Sequence, residues 1–109
     1  MVNKPVDWDY FSFAARMFGE ELENINFSFA AVSTAARGTL THSSRYYETG
    51  VELPAEDKEI LGRIQGILND MVTASKKRNL DGTKRLMLKF IDVVNSRVKG
   101  KKRWYEFWK

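Results

Sequence analysis

A chain of 109 residues with 43% apolar and 13% aromatic content is enough for one folded domain with a modest core, and too short for a second. The lack of cysteine excludes disulfides, thiolate nucleophiles and thiolate metal sites. The net charge of +4 is unevenly spread: residues 1–75 hold six Lys/Arg against eleven Asp/Glu, and residues 76–109 hold twelve against three, Asp81, Asp92 and Glu106. A split of this kind points to an acidic partner for the basic third, or to acidic and basic regions facing each other within the fold or between copies.

Met1 to Val6 reads as a short flexible lead. Asp7 or Asp9 then caps a first helix running to about Asn24, with Phe11, Ala14, Ala15, Phe18, Leu22 and Ile25 as its core stripe. Tyr10, Phe13 and Met17 lie on a different side of that helix, so it is apolar on more than one face. Burial inside the bundle is the expected account, with contact to a second chain as the alternative.

Asn26 to about Tyr47 keeps helical spacing at Phe29, Val32, Ala36, Leu40 and Tyr47. Gly38 and the Ser/Thr set of 28, 33, 34, 39, 41, 43 and 44 oppose it, because these side chains compete for backbone hydrogen bonds. A helix is expected as far as Arg37, and its continuation is doubtful. Glu48 to Leu53, with Gly50, reads as a connecting loop.

Pro54 to Arg78 is the most strongly marked segment. Proline is tolerated where a first helical N–H would be unpaired, Glu56, Asp57 and Glu59 suit a helix start, and Lys76, Lys77 and Arg78 suit its end. Ile60, Leu61, Ile64, Ile67, Leu68, Met71 and Val72 recur at three- and four-residue steps and make one apolar face. Gly62 and Gly66 fall on the opposite side, where they could form a smooth groove for a second helix. Asn79 to Gly82 breaks the chain, and Asp81 or Thr83 caps a last helix with Thr83, Leu86, Met87, Phe90, Val94 and Val98 on its buried stripe. Continued past Gly100, the same count would place Trp104, Tyr105 and Trp108 on that stripe as well. The expectation is an all-α fold, a small antiparallel bundle of about four helices.

The charge-free run from Asn24 to Ala36 is too short and too polar to span a bilayer, and the start of the chain lacks a basic-then-apolar signal pattern. A cytoplasmic protein is expected.

The strongest chemical signal is the segment 97–109, R-V-K-G-K-K-R-W-Y-E-F-W-K. Cations beside flat rings are what single-stranded nucleic acid binding needs. Lys99, Lys101, Lys102 and Arg103 would meet phosphates there, with Trp104 and Trp108 stacking or packing. Lys76, Lys77, Arg78, Lys84 and Arg85 could extend that surface across the turn before the last helix. The same composition suits a membrane surface, though the apolar part is short. Catalysis is not expected. His42 is the single histidine, which rules out a multi-histidine metal site, and it reads as polar surface. No cofactor is implied. The reading is a non-catalytic protein whose basic third engages a polyanion, most simply nucleic acid. The alternative is a protein-binding regulator, inhibitor or assembly subunit acting through helix faces, by self-association or against an acidic protein surface.

Overall fold

The computed structural model describes residues 2–3, 6–48 and 51–99. Four helices occupy most of them: α1 (Trp8–Leu22), α2 (Phe29–Ser44), α3 (Ala55–Lys76) and α4 (Leu80–Lys99). Each runs antiparallel to its neighbours. Helix α4 packs on α1 and on α3, and α3 packs on α2, while α1 and α2 touch only sparsely. The bundle is therefore open along the α1–α2 seam. One hydrophobic cluster runs through all four helices, with Phe11, Phe18, Leu61, Ile64, Leu68, Met71, Met87, Phe90 and Val94 essentially removed from solvent. Phe18 meets Phe90 edge to face at 5.2 Å between centroids, which fixes α1 against α4. Among the described residues no helix is long and apolar enough to cross a membrane.

Local chemistry explains the helix ends. Asp7 caps α1, its carboxylate accepting from the Tyr10 N–H, and Ser28 caps α2 by accepting from the Ala31 N–H. The Ser28 N–H in turn donates to Glu21 Oε2 at 2.8 Å, so the end of α1 helps to fix the start of α2. At the far end of α2 the Tyr46 hydroxyl accepts from the Asp7 N–H at 2.9 Å.

Several sequence expectations are corrected. Val2 and Asn3 form a two-residue parallel pairing, β1 (Val2–Asn3) with β2 (Val51–Glu52), and Val6 is buried. Helix α1 stops at Leu22, so Ile25 leaves the core stripe and is 95% exposed in the loop. Helix α2 continues past Arg37 to Ser44, because its hydroxyls bond inside the helix. Thr39 donates to the Ala35 carbonyl, Thr41 to that of Arg37, and Ser43 and Ser44 both to that of Leu40. A 3-10 turn over Arg45–Tyr47 then shifts the register, burying Tyr46 and leaving Tyr47 exposed. Tyr10, Phe13 and Met17 are not buried in the bundle but stand 36%, 57% and 41% exposed.

Helix α3 ends and α4 begins within three residues. Arg78 takes a left-handed conformation (φ 56°), and the Asn79 and Arg78 N–H groups reach back to the Ala74 and Ser75 carbonyls. This is a Schellman closure with arginine where glycine is usual. The cap of α4 is Asn79, not Asp81 or Thr83: its Oδ1 accepts from the Gly82 N–H at 3.0 Å. Gly82 is thus inside the first turn of α4, and a Cβ there would come within 2.7 Å of the Asn79 carboxamide. Thr83 is fully buried.

Candidate polyanion interface

The antiparallel arrangement brings the α1–α2 loop and the α3–α4 turn to the same end of the bundle. Lys76, Lys77 and Arg78 are all exposed there, with Lys84 half-buried and Arg85 exposed one turn into α4. Beneath them lie Phe27 and Phe29, edge to face at 5.3 Å. The Arg78 guanidinium stands 6.0 Å from the Phe29 centroid and the Lys84 ammonium 5.4 Å from that of Phe27. In each pair the charged head stands over the ring, a cation–π arrangement worth about 0.5–1 kcal/mol at exposed sites. The rings therefore pre-position two of the five cations. Phe27 carries no charge or repeat that marks it in the sequence; its one signal is its place directly before the capping Ser28, where a helix-start hydrophobic residue belongs.

The end is dipolar rather than uniformly basic. Glu20 and Glu23 are exposed at the end of α1, and Glu21 is half-buried on the Ser28 N–H.

Lys99 closes α4 at the opposite end of the bundle, about 28 Å away by the helical rise. Exposed Arg85 and Lys89 continue from the turn along α4, interrupted by Leu88 and Asp92. Lys101, Lys102, Arg103, Trp104 and Trp108 lie outside the described residues. Arg97, counted with the basic segment in the sequence, is turned to a structural task. Its Nη2 and Nε lie 2.8 Å and 2.9 Å from Asp57 Oδ1, its guanidinium stands 5.1 Å from a Trp8 ring centroid, and only 13% of its side chain is exposed.

The other singled-out residues separate. Gly62 and Gly66 are exposed on α3, and a Cβ at either would meet nothing within 4 Å, so among the described residues nothing covers that side. His42 is not a free surface residue: it stacks on Tyr10 at 3.7 Å and lies 3.3 Å from the Tyr46 hydroxyl, bridging the open seam between α1 and α2. A cleft of about 670 Å³ opens beside the 3-10 turn, lined by Tyr46, Tyr47, Glu48, Glu52, Leu53, Pro54 and Lys58. Partial burial pushes the Tyr47 phenol above its ordinary pKa. Among the described residues no group of three or more His, Asp or Glu is placed to hold a metal ion.

Comparison of the chain with protein-family models, with curated proteins and with solved structures finds no match.

Proposed function

We propose that the protein is a non-catalytic, cytoplasmic binder of polyanions, most simply single-stranded nucleic acid, and that the α3–α4 turn is its main contact surface. The observation that carries this reading is the clustering of Lys76, Lys77, Arg78, Lys84 and Arg85 at one end of the bundle, with two of them held over aromatic rings. Phosphate contacts from such a surface give affinity without sequence preference, through release of condensed counterions. The composition of residues 101–108, three cations followed by aromatic residues, supplies a second element of the same chemistry. The test is a salt-graded titration of a labelled single strand by fluorescence anisotropy. Five phosphate contacts predict a log–log slope of about −3.5. A slope near zero, or no binding at low salt, would sink the proposal.

A second reading, a protein-binding regulator or assembly subunit, is favoured by the exposed Tyr10, Phe13 and Met17 on α1.

A further inference from the structure

We infer that α1 is a self-association face, on which a second copy of this chain docks its own α1 antiparallel about a two-fold axis level with Phe13. This deepens the protein-binding reading by naming the partner, and it is independent of the basic surface.

The inference starts from how α1 distributes its side chains. Phe13 is the most exposed of the three large apolar residues and lies at the centre of the outward face. By the ~100° step of a helix, Tyr10, whose ring is also stacked on His42, and Met17 lie within about 60° of it on one flank, and Asp9 and Arg16 within about 60° on the other. Asp9 and Arg16 are both exposed, and neither forms an ion pair with another described residue. Along the axis, Asp9 is four residues before Phe13 and Arg16 three after it. Tyr10 is three before, and Met17 four after.

A two-fold axis in the plane of the interface, perpendicular to α1, reverses position along the helix and keeps each flank on its own side. Phe13 then meets Phe13 of the other copy. Asp9 comes level with Arg16 of the other copy to within about 1.5 Å of rise, and Tyr10 with Met17 by the same margin. Both flanks match at once: opposite charges on one side, and a ring against a thioether on the other. A parallel pairing would instead set the charged flank of each helix against the apolar flank of its partner, and would bring the exposed Glu20 side chains of the two copies together. The arrangement of side chains on α1 thus selects one symmetry, and an isologous contact of this kind closes on itself as a dimer.

The size of the face sets the strength. The exposed fractions of Tyr10, Phe13 and Met17 amount to roughly 270 Å² per copy, taking about 200 Å² for each large side chain. That is the apolar centre of an interface near the lower limit of about 1,000 Å² for specific association. Standard-size interfaces already extend down to roughly micromolar affinity, so the expected dimer is weak, with a Kd in about the micromolar range or above.

The experiment is sedimentation velocity of the full chain, free of nucleic acid, over a concentration range that brackets that Kd. The wild type should pass from monomer to dimer, and the dimer should persist at about 0.5 M salt, where association of opposite-charge regions is screened. Phe13→Glu should weaken it at least tenfold with an unchanged circular dichroism spectrum. Asp9→Arg and Arg16→Asp should each weaken it, and the double variant should recover most of the loss. If Phe13→Glu disturbs folding, the charge exchange alone decides. A chain that stays monomeric, a dimer lost in salt, or a double variant no better than the singles would overturn the inference. Binding of single-stranded nucleic acid at the far turn is read separately, so failure of the dimer leaves that proposal standing.

Discussion

Replacing Asp57 by alanine tests the packing account at its most concentrated point. Asp57 sits in the first turn of α3, 6% exposed, where both Arg97 donors converge on one carboxylate oxygen. Glu56 is a poor substitute: its carboxylate is 3.5 Å from Arg97 Nε and its side chain is 73% exposed, so solvent screens the pair. Without Asp57 the guanidinium would stay largely enclosed against Trp8 without its charge partner. Breaking one side of a buried pair in this way costs about 3–4 kcal/mol. That is a large share of the ~5–15 kcal/mol by which a domain of this size is stable. The loss should lower Tm by about 12–16 °C, at roughly 4 °C per kcal/mol.

Urea denaturation followed by circular dichroism would measure the loss, and Arg97→Met with the double variant completes a cycle. The double variant should be more stable than Asp57→Ala alone, because the stranded charge is gone, with a coupling of about 2 kcal/mol. A loss below about 1 kcal/mol for Asp57→Ala, or strictly additive variants, would refute the assignment of Arg97 to the fold. Arg97→Met should also leave the salt slope of polyanion binding unchanged, since this arginine is not on the proposed surface.

Two further outcomes follow from backbone and burial. Gly62→Ala with Gly66→Ala should raise stability by up to about 2 kcal/mol in urea denaturation, because a Cβ at either position meets nothing and glycine is the poorer helix former; a loss of stability would show that the outer side of α3 is occupied. Arg78→Gly should stabilise by about 0.5–1 kcal/mol, since glycine adopts the left-handed conformation without a steric cost, yet weaken nucleic acid binding by removing a cation. Stability and affinity moving in opposite directions would mark Arg78 as held there for its charge, and a parallel change would contradict that.

The parts of the fold that were legible in the sequence are those governed by one strong local signal. The apolar repeat of Ile60 to Val72 and of Thr83 to Val98 required helices packed on one face, and α3 and α4 form them. The second half of α2 stays doubtful in the sequence because Ser and Thr can compete with the helix for backbone hydrogen bonds. Whether such a hydroxyl bonds its own helix three or four residues back, as Thr39 and Ser43 do, depends on the rotamer and not on the residue type. Arg97 could not be separated from its basic neighbours by composition, since its partner lies 40 positions earlier in the chain. The exposed stripe on α1 was visible as a second apolar face, but its burial depends on how closely α2 approaches, which no local pattern encodes. The cations of the α3–α4 turn were legible individually; the rings that hold Arg78 and Lys84 come from the start of α2 and the loop before it, about fifty residues earlier.

The most direct test of the polyanion account compares the salt dependence of single-strand binding for the wild type and for Lys76→Gln/Lys77→Gln. Both lysines are exposed, so the variant should fold normally and should lose affinity at low salt. If the α3–α4 turn meets phosphates, the log–log slope should become shallower by about 1.4, the share of two contacts. An unchanged slope with intact folding would contradict the placement of the binding surface at this turn.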